Sequence, residues 1–150
     1  MAYDYLLGRC WDEPNAAHVR SCISSHRYGG DNPPESVEAK ILFNADKLDA
    51  SGAMGIARTL IYKGQVGEPL YLLDGSGGIV ADGGRDGGSS FMQEYNYKLK
   101  NVYNTFYTER AKAIAAERRR AAVDFYSGLF GEVSQNYAGG TARLSDVLIN

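Results

Sequence analysis

Residues 34–50, Pro-Glu-Ser-Val-Glu-Ala-Lys-Ile-Leu-Phe-Asn-Ala-Asp-Lys-Leu-Asp-Ala, constrain this chain more than any other segment. At 100° per residue, Val37, Ile41, Ala45 and Leu48 share one stripe, while Ala39, Leu42, Phe43 and Ala50 form a second apolar arc. Only Lys40, Asn44 and Lys47 are left for a clear solvent face. A helix apolar on two sides needs neighbours on more than one side. Glu35 and Glu38, placed where the helix dipole favours acids, put its start near Pro34. Asp46 falls in the middle of the second arc, where a carboxylate needs a cation or hydrogen-bond donors, because unpartnered burial of a charge is costly.

The other periodicities are helical too. Tyr3, Leu6, Leu7 and Cys10 share a face, like the end of a helix. Asp12 is an N-cap, Pro14 sits in the first turn, and Ala17, Val19, Cys22 and Ile23 give the next helix its apolar side up to His26. The glycines and prolines of 28–34 make a loop. The spacing predicts further helices from Pro34 to Ala50, Ser51 to Lys63, Ser90 to Phe106 and Thr108 to Ser134. Ser90 and Gln93 have the spacing of a capping box. The glycine-rich runs Asp74–Gly78 and Asp82–Gly88 read as a surface loop or a small hairpin, with Ile79-Val80-Ala81 as one strand. The expectation is one all-α domain over 1–150, with a frayed tail over 135–150.

Composition narrows the function classes. With 150 residues, 44% hydrophobic and 23% charged, the chain is an ordinary globular domain. A net charge of -2 supplies no global positive field, which argues against a nucleic-acid polymer as partner. The apolar runs are too short for a bilayer and the N-terminus has no signal pattern, so the reading is a cytoplasmic protein without membrane attachment. Cys10 and Cys22 fit two reduced thiols.

Few residues offer chemistry. His26, beside Arg27 at a helix end, is either a capping histidine or a functional one. Asp46, Lys47 and Asp49 lie within one turn; Lys47 and Asp49 read as solvated charges, and Asp46 is set apart by its arc. The chain has two histidines, no His-Asp doublet and no HExxH. No GK[ST] follows the glycines, which excludes a phosphate-cradling loop of that kind. Arg118, Arg119 and Arg120 share a helix with Glu109, Glu117 and Asp124 and read as a solvated face.

Ser25-His-Arg-Tyr28, the Glu38-Ala-Lys-Ile-Leu to Ala45-Asp-Lys-Leu-Asp-Ala50 run, Gly52-Ala-Met-Gly-Ile-Ala-Arg58 and Gly67-Glu-Pro-Leu-Tyr71 together resemble the later half of bacterial HD-domain metal-dependent phosphohydrolases. The helices from Ser89 to Val133 are similar to that family's C-terminal part. The resemblance implies an all-α, HD-like helical bundle that holds a divalent metal through an early His, a central His-Asp doublet and a late Asp. It implies hydrolysis of phosphate esters, often of nucleotides. Asp46 matches the late metal ligand and His26 a histidine on the phosphate side; the charge of Arg27 suits an anionic substrate. The early His and the doublet would precede Tyr3, so the resemblance implies an N-terminally truncated domain with one of four ligands; His18 lies on the wrong segment to replace them. The expectation is therefore a phosphohydrolase-type chain inactive by itself, whose partner is a small phosphorylated molecule or nucleotide. The alternative is a non-catalytic remnant or assembly protein. Homo-oligomerisation is expected through an exposed Ala39, Leu42, Phe43 and Ala50 arc.

Overall fold

The computed structural model describes residues 1–27, 30–82 and 90–148, with side chains to 135. Six α-helices succeed one another: α1 (Ala2–Leu7), α2 (Glu13–Ser25), α3 (Val37–Asp49), α4 (Gly52–Val66), α5 (Phe91–Glu94) and α6 (Glu109–Leu148). A π-helical turn, Tyr95–Leu99, continues α5, and a 3-10 turn spans Val102–Asn104. Among the described residues there is no sheet. The sole strand-like feature among them is one antiparallel bridge, Leu73 to Ile79, closing the turn over Asp74–Gly78. The second glycine run, 83–89, lies outside the described residues. No helix is long and apolar enough to cross a membrane among those described.

Local chemistry sets the boundaries. The Asp12 carboxylate accepts from the Asn15 N–H at 3.0 Å and opens α2, as expected. The Ser36 hydroxyl accepts from Ala39 N–H at 3.1 Å, so α3 begins after it and not at Pro34. α4 runs past Lys63 because its left-handed cap is Gly67, at φ 74°. The single helix expected over 90–106 is instead divided among α5, the π turn and the 3-10 turn. Ser90 does cap α5, its hydroxyl accepting from Gln93 N–H at 3.3 Å and meeting Gln93 Oε1 at 3.1 Å, while Gln93 Nε2 donates to the Asp82 carbonyl. The first N–H groups of α5 are satisfied by the Pro69 and Leu70 carbonyls, at 3.0 Å each. Helical backbone in α6 continues beyond Ser134 to Leu148.

The two apolar arcs of α3 are not used as the periodicity suggested. Val37, Ile41 and Ala45 are exposed, while Ala39, Phe43, Asn44 and Lys47 are buried. The neighbours approach from the side that includes Asn44 and Lys47. Asn44 Nδ2 donates to Thr108 Oγ1 at 2.9 Å, and its Oδ1 accepts from the Tyr107 N–H at 3.0 Å, stapling α3 to the start of α6. Phe43 meets Tyr107 edge-on at 5.2 Å. The arc expected to be left open for association is thus closed within one chain at Ala39 and Phe43; Leu42 alone of its large side chains is exposed.

The main core joins Ile56 of α4, Phe91 and Met92 of α5, Tyr95 and Leu99 of the π turn, and Ala122 of α6. A smaller cluster, Phe106, Ala111 and Ala115, lies under Leu48. The turn from α3 into α4 is tight. A Cβ on Gly55 would stand 2.1 Å from the Ala50 carbonyl oxygen, and Gly52, at φ +66°, would meet Arg118 Cβ at 2.8 Å. Arg118, read from sequence as solvated, closes this corner by donating to the Leu48 carbonyl at 2.7 Å.

Two glycines of α4 should therefore respond oppositely to alanine. Gly55→Ala should destabilise by about 1–3 kcal/mol or more, because backbone must move. Gly64→Ala, with open space around its Cβ, should stabilise by up to about 1 kcal/mol through helix propensity. Urea denaturation of both variants, read against the parent, checks the sign of each.

Candidate functional site

A cleft of about 730 Å³ runs between the C-terminal ends of α2 and α3, one face of α4, and the α5–π segment. His26, Arg27 and Asp46, the three residues singled out from the sequence, all line it. His26 caps α2 and its Nδ1 is bonded to the Ile23 carbonyl. A carbonyl only accepts, so Nδ1 carries the hydrogen and Nε2 is the nitrogen left for a ligand. Arg27 is exposed and makes no ion pair among the described residues.

Asp46 is not buried as its arc position suggested. Its side chain is 47% exposed, at the edge of the buried face. The buried group is its neighbour. Lys47 Nζ, with the side chain 6% exposed, donates to Asp46 Oδ2 at 2.6 Å and to the His26 carbonyl at 3.0 Å, and lies 5.0 Å above the Phe43 ring. This lysine draws the end of α2 and the end of α3 together at the cleft. Asp49 is solvated as expected, and at the surface it pairs with Arg58 of α4.

The opposite wall was not anticipated. Gly55, Arg58, Thr59 and Tyr62 recur at i, i+3, i+4 and i+7 along α4, a spacing that was legible as one face although its role was not. Glu94, Tyr97 and Lys98 come from α5 and the π turn, and no sequence signal locates that turn. π turns are frequent where a side chain is re-aimed at a site. Arg27, Lys47, Arg58 and Lys98 line the cleft; Lys47 pairs with Asp46, Arg58 with Asp49 and Lys98 with Glu94, so Arg27 leaves a balance of one positive charge although the chain as a whole is acidic. A second hollow of about 490 Å³, lined by Asn32, Phe43 and Thr105, shares Arg27 with it. His18 is elsewhere, its Nε2 at 3.4 Å from Glu38 and 3.7 Å from Cys22 Sγ.

Among the described residues no group of three or more His, Cys, Asp or Glu side chains converges as a metal site. Asp46 is the one expected ligand present, and it already accepts from Lys47. These donors do not by themselves fit a divalent ion.

No family model matches the chain. The Bacillus subtilis protein YpgQ is 32% identical over 92 residues, which are 61% of this chain and 38% of YpgQ. The crystal structure of YpgQ superposes with a TM-score of 0.67 at 26% identity, covering 87% of this chain and 61% of that one. A Lactobacillus plantarum structure gives 0.75 at 26% identity, over 87% and 64%. An HD-superfamily hydrolase from Bacillus thuringiensis gives 0.58 at 29% identity, over 86% and 58%. The chain has an HD-domain-like fold. It spans less than two thirds of the length of each of these relatives. One of the solved neighbours is YpgQ in complex with ADP, superposing on this HD-like chain with a TM-score of 0.64.

Behind the cleft, Lys63 is 3% exposed and holds Glu68 and Glu94, the latter at 3.4 Å. Burial pushes its pKa down, but the Glu68 hydrogen bond and the charges of Glu94 and Glu68 outweigh this, leaving it above the ordinary 10.5. A lysine raised in the folded state contributes stability that is complete below its unfolded value and lost as pH rises through the folded one. Lys63→Met should thus cost stability at neutral pH, by less than the roughly 3–5 kcal/mol of a fully buried broken pair, since both glutamates keep some water. Denaturation of parent and variant should give a constant difference up to about pH 10 that narrows above it.

Proposed function

We propose that this chain forms the phosphate-side wall of an HD-type phosphohydrolase cleft and binds a small phosphorylated molecule of nucleotide type in the cytoplasm. The observation that carries this reading is the charge of the cleft. Arg27, Lys47, Arg58 and Lys98 line a concave site on a protein whose net charge is negative. Arg27 is the residue best suited to a phosphate, because its planar fork of donors is not engaged by a carboxylate among the described residues. His26 offers Nε2 as a hydrogen-bond or acid/base partner on the same side. The ADP complex of YpgQ and the hydrolase class of the Bacillus thuringiensis neighbour support a nucleotide-type ligand.

Asp46 is the residue proposed as metal donor by resemblance, and in the family such an ion polarises the phosphoryl group and activates water. With a single donor of that kind, the described residues supply binding and orientation but no complete hydrolytic apparatus. Binding without hydrolysis is the expected behaviour of this chain alone.

Isothermal titration calorimetry with ADP in low-salt, EDTA-containing buffer tests this. The parent chain should bind, more weakly as salt is raised. Arg27→Ala should weaken binding about tenfold, the value of one charge-assisted contact. A phosphate-release assay with Mn²⁺ should remain at background. Failure of the parent to bind ADP would contradict the proposal, and turnover would contradict the expected inactivity.

A further inference from the structure

The cleft has two chemically different ends, and α4 measures the distance between them. Gly55 and Tyr62 both line it, and at 1.5 Å per residue they stand about 10 Å apart along the helix. The Gly55 end adjoins α3, where Gly55 backs onto Ala50 and Arg58 pairs with Asp49. The Tyr62 end adjoins α5, because Lys63, the next residue, pairs with Glu94, and Glu94 meets Lys98 at 3.4 Å. His26, Arg27, Asp46 and Lys47 therefore lie toward one end, and Tyr62, Tyr97 and the Glu94–Lys98 pair toward the other.

These two tyrosines are spare. Tyr62 is 59% exposed and Tyr97 36%, and neither ring stacks on another ring or a cation among the described residues. Their neighbours are committed to packing. Tyr95, two residues before Tyr97, stacks on Tyr126 at 4.0 Å with planes 8° apart, and the Tyr103 hydroxyl accepts from Gly52 N–H at 2.8 Å. Two positions apart on a helical turn, Tyr95 and Tyr97 face opposite sides, one ring in the core and the other on the cleft wall.

We propose that Tyr62 and Tyr97 form the stacking platform for the base of the bound nucleotide. This rests on the phosphate-binding reading of the opposite end and extends it to the part of the ligand that carries no charge. Aromatic faces across the cleft from Arg27 and Lys47 distinguish a nucleotide from pyrophosphate or a simple phosphate ester. Stacking uses the face of a base and not its edge, so purine and pyrimidine nucleotides should both be accepted.

The test is calorimetric titration of the parent, Tyr62→Ala, Tyr97→Ala and Tyr62→Phe with two probes, ADP and inorganic pyrophosphate, with circular dichroism to verify folding. Both side chains are exposed, so the alanine variants should fold. Each alanine variant should lose about tenfold in ADP affinity and nothing in pyrophosphate affinity, while Tyr62→Phe retains both. Alanine variants that bind ADP as the parent does would overturn the platform and leave the phosphate reading standing. Equal losses for both probes would overturn the assignment to a base. A parent that binds neither probe would overturn the phosphate reading and the platform with it.

Discussion

The polar side of α3 is buried, and the rest of the molecule depends on how that burial is satisfied. Asn44 meets both Thr108 and the Tyr107 N–H, so α6 can start only where it does relative to α3. One turn later Lys47 is held by Asp46 and the His26 carbonyl. A buried ammonium without such partners would be strongly unfavourable, so the end of α2 must be brought to the end of α3. That requirement places His26, Arg27 and Asp46 on one wall. The candidate site is a consequence of satisfying a buried lysine.

The opposite wall depends on close approach. Gly55 backs onto the Ala50 carbonyl and Gly52 onto Arg118, which lets α4 turn back sharply beside α3 and aim Arg58 and Tyr62 into the cleft. Lys63 then ties α4 to Glu94, and the π turn delivers Tyr97 and Lys98. The cations gathered in this way give an acidic chain a locally positive concavity.

Much of this was legible in the sequence, for identifiable reasons. Asp12 was legible as a cap, whereas Ser36 and Gly67 bound α3 and α4 a few residues from the ends expected at Pro34 and Lys63. The resemblance carried by Ser25 to Tyr28 and by Glu38 to Arg58 pointed to an HD-like fold and to His26 and Asp46, which both line one cleft. The facing of α3 was not legible. Periodicity defines its arcs but not which neighbour approaches, and hydrophobicity alone assigned Asn44 and Lys47 to solvent when hydrogen bonds let them be buried. The wall from α5 was also missed, because a π turn changes the register of every residue after Tyr95 and leaves no trace in composition.

The central claim is that the cleft between α2, α3, α4 and the π turn is where a phosphorylated ligand sits. Titration of the ¹⁵N-labelled chain with ADP, followed by amide chemical shifts, tests it most directly. Saturable shifts at Arg27, Lys47, Arg58 and Lys98, with little change at His18 or Glu38, are the predicted result. Shifts confined to Asn32 and Thr105 in the second hollow, or no saturable shifts at all, would contradict it.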